Sequence, residues 1–196
     1  MLYKMQTLNY QQEYTQSKIH PHKLALWISL ASILMMFAAF TSAYMVRKGA
    51  GNWLDYEIPS IFYVSTAVML MSSVAIQYAY LSYKNGREIA YKVCLILTFL
   101  LGITFVILQY QGWTELYGLG IEINGNPSGS FFYVISGVHA AHVLGGLAIL
   151  SVAMIHAFGL PFTFLKNRLT RLELTTTYWH FVDLLWVYLL FFLLIQ

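Results

Sequence analysis

Five apolar stretches, each about 20 residues or longer, dominate this chain: Leu24–Val46, Pro59–Tyr83, Val93–Trp113, Phe131–Phe158 and Leu174–Ile195. A helix rising ~1.5 Å per residue crosses a ~30 Å hydrocarbon core with stretches of this length. Inside lipid every backbone N–H and C=O must be satisfied within the protein, which leaves helices or a closed barrel. The stretches are too long and too uniformly apolar for barrel strands. Charge tells the same story: 10% of residues are Asp, Glu, Lys or Arg, against ~25% in ordinary soluble domains. The sequence therefore predicts an all-α integral membrane protein, a bundle of five transmembrane helices spanning 24–196. Residues 1–23 are expected to form an N-terminal cytoplasmic or interfacial segment.

The prolines (Pro21, Pro59, Pro127, Pro161) fall at or outside the ends of the stretches, so no broken helix is expected. The first stretch begins too late and runs too long for a cleaved signal peptide. Lys and Arg set the orientation. Lys4, Lys18, Lys23, Lys84, Arg87, Lys92, Lys166, Arg168 and Arg171 share one side, and only Arg47 and Lys48 occupy the other. The N-terminus is expected in the cytoplasm and the C-terminus on the periplasmic side. The net charge of +3 follows from this bias and gives no reason to expect nucleic-acid binding. Cys94, the single cysteine, permits no intrachain disulfide and reads as a small apolar residue.

Within these stretches one charged residue stands out. Asp183 is the only Asp, Glu, Lys or Arg inside any of them, with His180 one turn earlier. A charge at mid-bilayer costs at least ~2.5–3.5 kcal/mol, so Asp183 should face protein. Thr176, His180 and Asp183 share one helix face by spacing, and Ser136, His139 and His142 share another. Gln109, Tyr110, Gln111 and Glu115 mark the outer end of the third stretch. Gly137, Ala141, Gly145 and Ala148 form a small-residue ridge that should admit another helix. Aromatic residues near the stretch ends, among them Tyr44, Trp53, Tyr56, Tyr63, Tyr78, Tyr83, Tyr91, Tyr110 and Trp113, read as interfacial anchors. His20, His22 and His156 read as interfacial too.

Three readings compete for the buried polar set. In one, imidazole and carboxylate clamp packed helices together. In the second, His142 and His180 ligate a haem, which requires equal depth; helical rise alone places them together or apart depending on where the fourth helix leaves the bilayer. In the third, Asp183 lies on a proton or ion path, the role it would have in a small transporter or channel.

Two segments carry a resemblance: Tyr178-Trp179-His180-Phe181-Val182-Asp183-Leu184-Leu185-Trp186, and Phe131 to Gly146 with its Ser136-Gly137-Val138-His139-Ala140-Ala141-His142 core. Leu108-Gln109 followed by Glu115 adds a weaker third. Together they resemble subunit III of haem-copper terminal oxidases (the cytochrome c or quinol oxidase family) in its short five-helix bacterial form. The resemblance implies a multi-pass protein of the bacterial inner membrane that carries no haem, copper or catalytic residue of its own. It implies packing on oxidase subunit I, association with subunit II and other oxidase subunits, possible membership of a larger respiratory supercomplex, and bound phospholipid. It also implies support of proton uptake and of active-site durability in an enzyme that reduces O₂ and pumps protons. Glu115, His139, His142, His180 and Asp183 would then be buried packing or lipid-cleft residues. Ile33 departs from the pattern, standing where the family commonly has a glutamate. Longer members have two further N-terminal helices, so one wall of the lipid cleft is expected from another subunit here.

Overall fold

The computed structural model describes residues 21–160 and 166–195. The expectations for residues 1–20, Pro161 and Gln196, including those for Lys4, Lys18 and His20, fall outside them. One helix carries each apolar stretch: α1 Pro21–Gly49, α2 Ile61–Lys84, with Pro59 and Ser60 just ahead of it, α3 Glu88–Gly118, α4 Pro127–Gly159 and α5 Lys166–Ile195. All five are long and apolar enough to cross a membrane, and the described residues contain no strand. The helices overrun the apolar stretches because a continuing helix satisfies its own backbone as it leaves lipid. Thr114–Gly118, beyond the end of the third apolar stretch, continue α3.

The junctions have local causes. Between α2 and α3 the chain turns through Asn85, Gly86 and Arg87, with Gly86 at φ +71°, a conformation that glycine adopts without steric cost. That tight turn lays α3 directly along α2. At the start of α4, Pro127 occupies the first turn and the Asn126 side chain accepts from Ser128 N at 3.0 Å, an N-cap arrangement. Asn126 also accepts from Leu54 N at 3.3 Å and donates to the Asn52 carbonyl at 3.2 Å. The α1–α2 connector is thereby pinned to the head of α4.

Helix α5 is central, packing against α1, α2 and α4, while α3 fills the far side against α2 and α4. Helix α1 approaches α4 and α5 only. In its most apolar window 17% of residues are buried, against 44% in α5. The core is built from rings: Phe62 meets Phe132 edge-on at 5.2 Å and Phe105 meets Trp186 at 5.4 Å. On the basic side, Lys23 pairs with Glu173 at 2.6 Å and ties α1 to α5. Both side chains are part-exposed, so the pair contributes at most about 1 kcal/mol.

Two expectations need correction. Tyr44, Tyr83 and Tyr91 are core residues rather than interfacial anchors; Tyr44 packs edge-on against Trp53 at 4.6 Å and Phe131 at 5.8 Å. The ridge of Gly137, Ala141, Gly145 and Ala148 does not seat a helix of this chain. Nothing lies within 4 Å of a Cβ built on Gly137, and Ala141, Gly145 and Ala148 are exposed. The close approach uses the neighbouring face instead. A Cβ on Gly146 would lie 3.0 Å from the Trp179 ring, and one on Gly102 of α3 would lie 2.8 Å from it. Those two glycines make the slot that the indole fills.

Candidate functional site

The polar groups within the bundle are organised by α2, whose hydroxyls recur at seven-residue intervals, Ser65 with Ser72 and Thr66 with Ser73. Two helical turns separate the members of each pair, so each pair lines one face. Ser72 donates to the Met69 carbonyl and Thr66 to the Phe62 carbonyl, both at 2.8 Å. Their oxygens then accept the indole N–H groups of α5, Trp179 to Ser72 and Trp186 to Thr66, both at 2.9 Å. Later residues of α5 meet earlier residues of α2, an antiparallel seam fixed by two indoles. Both tryptophans are buried, and a buried indole N–H left unbonded would cost about 1–3 kcal/mol.

Ser73 breaks the pattern by turning its hydroxyl outward from its own helix. It lies 2.6 Å from His180 Nδ1, and His180 Nε2 lies 3.0 Å from Gln77 Oε1. Ser73 also lies beside the Asp183 carboxyl. An amide oxygen only accepts, so Nε2 is the ring's donor, and Nδ1 of a neutral ring accepts from Ser73. Asp183, 5% exposed, thus has polar neighbours on α2 and α5 rather than lipid around it, as a carboxyl at this depth requires. The expected direct pairing of His180 with Asp183 is therefore indirect: α2 supplies the partners of the imidazole. Asp183 Oδ1 and the buried Thr176 hydroxyl have no partner among the described residues.

His139 is enclosed completely. Its ring stacks on Trp186 at 5.0 Å, and Phe105 and Phe37 present edges at 5.9 and 6.3 Å. Neither ring nitrogen has a hydrogen-bond partner among the described residues. His142 lies one turn further along α4, on the side that also meets Phe37. It bonds the Val138 carbonyl of its own helix through Nδ1 at 2.8 Å and packs against Phe37, while Tyr178 donates to its carbonyl at 3.0 Å. His142 and His180 thus engage different neighbours and are not brought together as the haem reading requires. Glu115 is exposed at the outer end of α3, so its expected burial is not met within this chain. His156, exposed, bonds the Val152 carbonyl of its own turn at 2.7 Å.

Several participants are hard to single out in the sequence. Ser65, Ser72, Thr66 and Ser73 look unremarkable singly and are marked only by their seven-residue spacing in α2, while Gln77 follows Ser73 by one helical turn. Gln109, noted only as a boundary residue, is buried and donates to Ser65 at 3.1 Å. A separate groove of about 630 Å³ opens on the basic side, its walls including Leu26, Ile149, Val152 and Tyr178, with His156, Arg168 and Arg171 among its polar members. Among the described residues, no three His, Cys, Asp or Glu converge as a metal site would need.

A polar seam built to join helices, in a five-helix bundle, agrees with what comparison with known proteins shows. The family model for cytochrome c oxidase subunit III matches residues 7–195. The chain belongs to that family. Cytochrome c oxidase subunit 3 of Corynebacterium diphtheriae is 29% identical, covering 82% of this chain and 80% of its own length. A probable cytochrome c oxidase subunit 3 of Nocardia farcinica is 30% identical, covering 83% of this chain and 80% of its own. The rabbit (Oryctolagus cuniculus) subunit 3 is 35% identical over 68% of this chain, which spans about half (48%) of that relative's length. As a subunit III family member, the chain is one component of an oxidase complex in a membrane.

Proposed function

We propose that this chain is a non-redox accessory subunit of a proton-pumping haem-copper terminal oxidase in aerobic respiration, seated in a bacterial inner membrane. It packs on the catalytic subunit I, holds phospholipid, and supports proton uptake and the durability of the active site; it catalyses nothing alone. The N-terminus faces the cytoplasm, because the side richer in Lys and Arg stays inside.

The observation that carries the reading is the family match joined to the use made of the polar residues. His180, Ser73, Gln77, Trp179 and Trp186 are engaged in bonds between helices, and His142 is engaged within its own helix. Such groups hold a bundle in register and leave little titratable chemistry for a path of their own. The lipid part rests on the groove beside Arg168 and Arg171: apolar walls suit acyl chains and the basic members suit an anionic headgroup. On this reading Glu115, His139, His142, His180 and Asp183 are packing or lipid-contacting residues.

The test is purification of the tagged chain from its native membrane. A haem-bearing partner should accompany it, and the separated chain should show no haem absorption. A stable isolated chain with a haem spectrum would overturn the reading, as would ion or proton flux in liposomes containing this chain alone.

A further inference from the structure

We infer that the α2–α5 face around Gln77 and His180 is a docking surface for a transmembrane helix of a different polypeptide, one that presents a hydrogen-bond acceptor at the depth of Gln77. The inference rests on the chain being one subunit of a membrane complex, and it adds which face is covered and by what chemistry.

The argument begins with exposed polar groups at lipid depth. Ser29, Ser32 and Thr104 are exposed too, but each donates to a carbonyl four residues back in its own helix, at 2.9, 3.0 and 2.9 Å. Their hydroxyls are satisfied wherever they point, and lipid can cover them. Gln77 is different. Its Oε1 accepts from His180, yet its amide nitrogen has no partner among the described residues, and the residue is exposed. Gln77 lies seven residues before Lys84 at the end of α2, roughly 7–10 Å into the hydrocarbon by helical rise. Its side chain is too short to reach the interface. An amide N–H facing acyl chains costs several kcal/mol, and lipid tails offer nothing to bond.

The surroundings fit a covered patch. Val74 and Tyr78 flank Gln77 on α2 and Leu184 adjoins on α5, with Val74 and Leu184 each 71% exposed. These apolar side chains are exposed near the polar centre, so an incoming helix packed on them would seal Gln77 from water and lipid alike. The second observation is deeper: the Asp183 carboxyl, 5% exposed, keeps Oδ1 unpartnered. The polar chain therefore ends unsatisfied at both extremities, at Asp183 and at Gln77. A partner acceptor for the Gln77 N–H, a hydroxyl or carboxamide oxygen, would complete the outer end.

Photocrosslinking in native membranes tests this, with a benzophenone amino acid placed singly at Val74 and Leu184 of the full-length chain. Both positions should yield an adduct with the same foreign polypeptide. Absence of protein adducts while the chain still co-purifies with a haem-bearing partner would overturn the docking surface and leave the accessory-subunit reading intact. An adduct with a second copy of this chain would also overturn it. Absence of both adduct and haem-bearing partner would sink the two together. A second variant, Gln77→Leu, removes the amide N–H together with the acceptor of His180 Nε2, so the variant's unfolding free energy is measured beside it to separate the two losses. The substitution should lower retention of the partner in detergent about threefold, the equivalent of one intramembrane hydrogen bond of ~0.6 kcal/mol. Unchanged retention would overturn the role given to the amide.

Discussion

His139 and His180 are both histidines set within membrane-spanning helices, and their two surroundings are opposites. His139 is walled in by Trp186, Phe105 and Phe37, with no partner for either nitrogen. His180 has both nitrogens engaged, by Ser73 and Gln77, and its polar chain runs to the surface of the bundle. The first site behaves as a shaped aromatic filler and the second as a directional connector. Residue type is shared, so the role comes from the neighbours: rings on one side, hydroxyl and amide groups of α2 on the other.

The largest effect comes from the indole that anchors the α2–α5 seam. Trp179 fills the slot between Gly102 and Gly146 and bonds Ser72. Trp179→Ala should cost about 3–5 kcal/mol through cavity formation, read as lost unfolding free energy of the purified chain in mixed micelles. A loss below about 1 kcal/mol would mean the slot collapses without harm. Next in size is a single substitution applied to both histidines. His180→Phe leaves Ser73 and Gln77 unpaired and should cost about 1–3 kcal/mol. His139→Phe removes two unbonded nitrogens from an apolar box and should be neutral or stabilising by about 1 kcal/mol. Equal losses at both sites in the same unfolding assay would erase the distinction between them.

A smaller effect belongs to assembly. Asp183→Ala removes one end of the polar chain and should reduce the subunit content of the purified complex about threefold, the scale of one ~0.6 kcal/mol bond. Unchanged composition and unchanged oxidase lifetime during turnover would contradict it. Smallest is Cys94→Ser. The half-buried thiol has no redox partner, and the change should stay within ~0.5 kcal/mol, with turnover in the complex unaltered.

The five helices were legible because a lipid-spanning helix writes its length directly as an apolar run. Asp183 and His180 were legible because polar residues are rare there. Their partners were not, since Ser73 and Gln77 become meaningful only once α2 lies antiparallel to α5 in a particular register. The small-residue ridge misled for a related reason. Spacing identifies a helix face, but Gly145 and Gly146 are adjacent residues on different faces, and only packing shows that Gly146 is the one that receives Trp179. Tyr44, Tyr83 and Tyr91 misled because proximity to a stretch end does not tell whether a ring turns toward lipid or toward a neighbouring helix.

The restriction of α1 to contacts with α4 and α5 has a bearing on how the protein is made. Helix α1 leaves the ribosome ahead of α2 and α3 yet finds no mate in either, and its resting place is incomplete until α4 and α5 have followed. At ~5–20 residues per second, the interval is on the order of ten to thirty seconds. Through that interval α1 must wait without its neighbours, held by lipid or by the insertion machinery, and the Lys23–Glu173 pair is a latch that can close only once the head of α5 has emerged.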